Sequence, residues 1–129
     1  MSNGIIIRAA HFPGRAPIDA YGDGGFRFAD MSHRGSILCL PSGIHGWSAS
    51  DVTALTESDF AQAIVEAEGI DILLVGTGKT MAPLPRALKE ALRAAGINAD
   101  PMSTGSAVRT YNVLLAEDRA VAAALISVE

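Results

Sequence analysis

The sequence predicts an α/β fold, a three-layer domain with a mixed β-sheet at its centre, helices on both faces and an N-terminal β-hairpin. Three observations carry that expectation. Apolar runs at residues 36–40 and 70–75 lack polar alternation, as strands covered on both faces require. Segments of helical period separate such runs, the arrangement that packs helices against a sheet. Near the start, Gly22-Asp23-Gly24-Gly25 joins two β-prone stretches and supplies residues that accept the positive φ of a tight turn.

In chain order, residues 18–21 and 26–28 form the hairpin, which adds antiparallel strands to the sheet. Met31-Ser32-His33-Arg34-Gly35 turns the chain into the strand at 36–40, and Pro41 stops it. Ser42, Gly43, His45, Gly46 and Trp47 then read as a loop. Thr56 caps a helix whose Phe60, Ala63, Ile64 and Ala67 share one face, with Gly69 as its stop. The β-branched run at 70–75 is a buried strand closed by Gly76-Thr77-Gly78. In the next helix Leu84, Leu88, Ala91, Leu92 and Ala95 oppose Arg86, Lys89 and Arg93, and Gly96 ends it. Residues 97–99 give a short strand. A third helix starts at Ser103 or Thr104 and buries Ala107, Val108, Tyr111, Leu114 and Leu115. The apolar run at 120–128 fits helix or strand by composition alone.

With 129 residues, 49% of them hydrophobic, and neither repeats nor a linker, residues 1–129 are expected to form one domain. Fourteen acidic residues against ten basic ones leave a net charge of −4, so no overall basic field favours nucleic acid. The lone Cys39 cannot form an internal disulfide, and no Cys/His spacing suggests zinc. The opening residues 1–8 lack the pattern of a secretory signal and no apolar run is long enough to cross a membrane, which makes the cytoplasm the expected location.

The chemistry-bearing residues do not assemble into a known reaction. Gly76-Thr77-Gly78-Lys79-Thr80 invites comparison with a phosphate-binding loop, but Leu73 stands where the first glycine of that motif belongs. If the strands at 70–75 and 97–99 run parallel, their following loops share one sheet edge and form a crevice. Thr77, Gly78, Lys79, Ser103, Thr104, Gly105, Ser106 and Arg109 would rim it, and free amides beside a cation suit a small anion. The competing reading makes Ser103 or Thr104 a helix cap and Arg109 the partner of a local group. Tyr111 reads as core with a bonded hydroxyl, and Asn112 as either part of a structural network or a ligand contact. Ser42, His45 and Asp51 carry the residue types of a hydrolase triad but crowd into one loop without a nucleophile elbow. His11 and His33 read as loop histidines, Cys39 as an inert core thiol, and Arg86, Lys89 and Arg93 as a solvated stripe or a dock for an acidic partner. No catalytic residue, metal or cofactor is assigned.

Tyr21-Gly22, Gly35-Ser36, Trp47, Gly76-Thr77-Gly78, Gly96-Ile97, the run Arg109-Thr110-Tyr111-Asn112-Val113-Leu114-Leu115, then Glu117, Arg119 and the apolar residues 121–126 together resemble a small α/β family. That family is of largely unknown function and includes the assembly factor 3 of mitochondrial respiratory complex I, the NADH dehydrogenase. The resemblance implies a central mixed sheet of about five strands in which the final apolar run is a strand. It also implies a role in assembly of the respiratory NADH dehydrogenase, with complex I subunits or other assembly proteins as partners, at a membrane surface without spanning it, and the lack of a converging acid, base and nucleophile makes a non-enzymatic role the expectation. Val108 and Asp118 depart from the pattern, where a cysteine and a glycine are expected, so a cysteine-based activity is not carried over. A small-molecule or anion-binding protein, or a weak enzyme, using the 76–78 and 103–109 loops is the alternative.

Overall fold

The computed structural model describes residues 12–129, so the readings made of residues 1–8 and of His11 fall outside it. Nine strands appear: β1 Phe12–Pro13, β2 Ala20–Gly22, β3 Gly25–Phe28, β4 Met31–Arg34, β5 Ser36–Leu40, β6 Gly43–Trp47, β7 Ile72–Gly76, β8 Asn98–Met102 and β9 Val121–Leu125. The α-helices are α1 Ala61–Val65, α2 Arg86–Ala94 and α3 Thr104–Ala116. The central sheet runs β1-β6-β5-β9-β7-β8 and is mixed: β5 pairs antiparallel with β6 and β9, whereas β7 pairs parallel with β8 and β9. Residues 121–125 are thus a strand at the heart of the sheet, as the resemblance implied.

Strand alternation divides the apolar runs between two cores. Leu38, Leu40, Leu73, Val75, Ala122 and Ala124 face one side, with Phe60, Ala63, Leu88 and Leu92 packed over them. Ile37, Cys39, Leu74, Val121, Ala123 and Leu125 face the other, under Ala107, Val108 and Tyr111 of α3 and Phe26 and Phe28 of β3. A strand buried on both faces cannot alternate with polar residues, which is why these runs read as continuously apolar. Three layers result.

Several expectations need correction. The hairpin does not extend the central sheet: β2 and β3 pair with β4 in a separate three-stranded sheet. The segment 31–35 is therefore mostly strand and His33 is not a loop histidine; the turn is made at Gly35, whose φ is +97°. The stretch 43–47 is a strand and not a loop. Gly43 and Gly46 lower its intrinsic β preference, yet full register with β5, from Ser36 opposite Trp47 to Leu40 opposite Gly43, holds it extended. Gly43 is required there, because a Cβ would run into the Phe12 carbonyl of β1. The helix expected from Thr56 to Gly69 is broken into 3-10 turns at Glu57–Phe60 and Ala67–Gly69 around the short α1. Thr56 begins it as expected, with the Asp59 carboxylate accepting from its amide at 2.9 Å. The strand expected at 97–99 runs on to Met102. Leu114 and Leu115 pack against the second core only half-buried.

Candidate functional site

The crevice expected at the carboxyl edge of β7 and β8 exists, and much of its backbone is bonded within the fold. Thr104, the first residue of α3, is fully buried; its hydroxyl donates to the Ile126 carbonyl at 2.7 Å and accepts from the Gly78 amide at 3.0 Å. The Thr104 amide donates to the Gly78 carbonyl at 2.8 Å, the Thr77 amide to the Met102 carbonyl at 2.8 Å, and the Ile126 amide to the Gly76 carbonyl at 3.0 Å. Thr77 closes its own turn, its hydroxyl bonded to the Thr80 carbonyl at 2.8 Å and accepting from the Ala82 amide at 3.0 Å. Gly76-Thr77-Gly78 is thereby a junction of β7, β9 and α3. A Cβ on Gly76 would lie 3.0 Å from Thr104 Cα and 3.1 Å from Leu125 Cδ2, so only glycine lets α3 start this close to the sheet. Gly78 is needed for a different reason, its φ of +114°.

Ser103 caps α3, its Oγ accepting from the Ser106 amide at 3.3 Å. Arg109 reaches back to Ser106 Oγ at 3.3 Å and remains exposed. Lys79 and Arg109 line a cleft of ≈ 260 Å³ together with Tyr21, Gly78, Ser103, Gly105, Val128 and Glu129. Tyr21, from the small sheet, is the member that sequence reasoning did not place there. Its signal was Gly105: a Cβ at that position would collide with the Tyr21 hydroxyl, so the helix start is bare where the ring lies. The cleft offers side-chain cations and a phenol, with the Glu129 carboxylate at its margin.

Tyr111 and Asn112 point away from this cleft. The Tyr111 ring is buried against the sheet and its hydroxyl donates to Cys39. Burial raises the Tyr111 pKa, with the neighbouring thiol adding to the rise, so the phenol stays protonated at neutral pH. Burial also pushes the Cys39 thiol up to about 12, against a smaller lowering by the Tyr111 hydrogen bond. Asn112 pairs with the backbone of Ile18 in both directions, accepting from its amide and donating to its carbonyl at 2.9 Å each. It replaces a strand neighbour for the segment that enters β2.

A second polar cluster lies where the triad types were noted. Asp51 does not join it; its carboxylate caps the turn at Val52–Ala54 and accepts from the Thr53 amide and hydroxyl. Glu66 does: Ser42 Oγ donates to Glu66 Oε2 at 2.6 Å and lies 2.8 Å from His45 Nε2. The order is wrong for nucleophilic catalysis. A hydroxyl has one proton, and once given to Glu66 the oxygen can only accept from His45, so the imidazole is no base toward Ser42. Burial works to raise the Glu66 pKa, but hydrogen bonds from Gln62 and from Ser42, with His45 nearby, outweigh it and hold the carboxyl below its ordinary range.

Arg86 pairs with Glu90 at 3.6 Å on the exposed face of α2. Lys89 and Arg93 border a hollow of ≈ 300 Å³ beside β8. Among the described residues no group of three or more His, Cys, Asp or Glu side chains converges as a metal site, and no helix is long and apolar enough to cross a membrane.

A family model described as a protein of unknown function (DUF498/DUF598) matches residues 18–126. The chain belongs to the DUF498/DUF598 family. An uncharacterized protein of Rhodobacter capsulatus is 44% identical over 92% of this chain and 90% of its own. NADH dehydrogenase (ubiquinone) 1 alpha subcomplex assembly factor 3 of Mus musculus is 30% identical over 95% of this chain, which spans 66% of that protein's length. Among solved structures, the crystal structure of an outer membrane protein from Bartonella henselae superposes with a TM-score of 0.89 at 59% identity, covering 92% of this chain and 100% of that one. Asp118, where the resemblance led to the expectation of glycine, has a φ of +60°, the left-handed conformation that glycine adopts most readily, two residues beyond α3.

Proposed function

We propose that this DUF498/DUF598 protein is a non-enzymatic assembly or interaction protein that supports construction of the respiratory NADH dehydrogenase complex. The observation that carries the reading is its 30% identity, over 95% of the chain, to a protein named as an assembly factor of that enzyme. The local chemistry supports it. Thr77, Thr104, Tyr111 and Asn112 commit their polar atoms to the fold, which makes them scaffold, and the remaining chemistry sits on the surface where partners meet it. The partners on this reading are subunits of the complex or fellow assembly proteins, met by a cytoplasmic protein docking peripherally at the membrane. The test is deletion of the gene in its native cell. Membrane NADH:quinone activity and the amount of assembled complex should both fall and return with the wild-type gene, and unchanged levels would overturn the reading. Fractionation of the same cells decides between cytoplasm and outer membrane.

The cleft beside Tyr21 supports a second reading, weak binding of a small anion by Lys79 and Arg109. Gly78, Ser103 and Thr104 shape that cleft without offering it their bonded groups, and Thr77, Tyr111 and Asn112 act only from behind it. Calorimetric titration with phosphate and small carboxylates should show binding that Arg109→Ala weakens while leaving melting unchanged. A folded wild-type protein that shows no heat of binding would remove this reading.

A further inference from the structure

We infer that the outer face of the small three-stranded sheet is a docking surface for an extended, carboxylate-rich segment of a partner protein. β3 turns Phe26 and Phe28 into the core, so strand alternation sends Arg27 the other way. Register sets Arg27 opposite Ala20 on one side and Ser32 on the other, and Gly25 opposite Gly22 and Arg34. Two guanidiniums therefore rise from a floor of small residues. They border a groove of ≈ 430 Å³ with Asp23 at its turn end. Among the described residues neither arginine is ion-paired; the two bridges present involve Arg86 and Arg119.

The spacing selects the ligand. Arg27 and Arg34 are diagonal neighbours on adjacent antiparallel strands, about 7–8 Å apart at their backbones. Side chains on one side of an extended chain recur every second residue, about 6.8 Å apart. Carboxylates at positions i and i+2 of such a segment meet both guanidiniums together, in the fork geometry that arginine favours. Nucleic acid fits poorly, because the chain carries a net charge of −4 and two cations neutralise few phosphates. Residues 1–11 contain neither Asp nor Glu and so do not supply such a segment.

The experiment is fluorescence anisotropy with a labelled peptide of four alternating Glu and Thr pairs, beside an isomer with the four acids in one block. The alternating peptide should bind saturably and more tightly than the block isomer. Arg27→Gln and Arg34→Gln should each weaken it about two- to fivefold, the effect of one exposed charge pair, and the double variant about four- to twenty-five-fold. Lys89→Gln, on α2, should leave it unchanged, and melting curves should coincide because all three side chains are exposed. Equal binding of both isomers, no binding, or indifference to the arginine variants would overturn the inference. So would tighter binding to single-stranded oligonucleotide or to phosphatidylglycerol vesicles, or self-association that the arginine variants remove.

Discussion

At the scale of single residues, the side chains with the most chemistry do the most holding. Asn112 is the clearest case. Its amide supplies both halves of a backbone pairing to Ile18, 94 positions away in sequence, and fixes the entry to the small sheet on α3. Asn112→Ala removes both bonds and leaves an N–H and a C=O of partly buried backbone without these partners. The expected cost is about 2–3 kcal/mol, two unmade hydrogen bonds with part of the desolvation penalty retained. Urea unfolding should show a lower midpoint at constant slope, and native-state hydrogen exchange should show the Ile18 amide losing protection. An unshifted midpoint would mean that water replaces the side chain without penalty and that Asn112 is free for another task. Gly76 and Thr104 follow the same logic in a tighter space, where one missing Cβ and one hydroxyl join two strands and a helix.

Elements differ in how plainly their sequences announce them. β5, β7 and α2 were legible because burial on two faces, or on one helical stripe, leaves a periodic mark on local composition. β6 and β4 were not: Gly43, His45, Gly46, Ser32 and His33 have no strong strand preference, and what holds them extended is pairing with residues whose register local composition does not encode. The candidate cleft was half legible for the same reason. Lys79, Ser103 and Arg109 follow from the parallel order of β7 and β8, whereas Tyr21 arrives from a different sheet. β9 needed the family resemblance, since residues 121–125 suit helix and strand equally by composition. Its place can be tested. Ala123 is fully buried on the central strand between β5 and β7, so Ala123→Asp introduces a charge with neither water nor partner there and should destabilise by more than about 4 kcal/mol. Melting like wild type would remove β9 from the core. α1 is attached through Glu66, whose carboxyl accepts from the Ser42 amide and hydroxyl at the β5–β6 turn. Because the folded-state pKa of Glu66 lies below the usual 4.5, its contribution is present above that value and fades as the pH falls through the folded one. Glu66→Gln should therefore lower stability at neutral pH, with a deficit that shrinks under acid. A deficit independent of pH would assign the effect to packing alone.

For the whole molecule, the central question is whether two cores on opposite faces of one sheet melt together. Cys39 sits where the answer can be read. It lies on β5 between β6 and β9, faces the core under α3 and the small sheet, and is 1% exposed. Its neighbours on the strand, Leu38 and Leu40, belong to the opposite core. Stripping either layer exposes half of every central strand, and the remaining layer then has too little apolar contact to hold a sheet whose strands are buried on both faces. Cooperative unfolding follows from that shared wall. The thiol is inert in the folded protein on two counts, since burial denies a reagent access and pushes its pKa up to about 12, leaving almost no thiolate at neutral pH. Labelling of Cys39 by a thiol reagent in the regime of rapid reclosing should therefore proceed only through the globally unfolded state. For a stability of roughly 5–10 kcal/mol the rate should fall about 10⁴- to 10⁷-fold below that of an unfolded peptide. Its dependence on urea should have the full slope of equilibrium unfolding, because the slope scales with the surface exposed in the opening that admits the reagent. A shallow slope at low urea would show that the layer of α3 and the small sheet lifts away while the rest persists. That result would make the face carrying Arg27 and Arg34 a separately mobile unit and not a rigid platform.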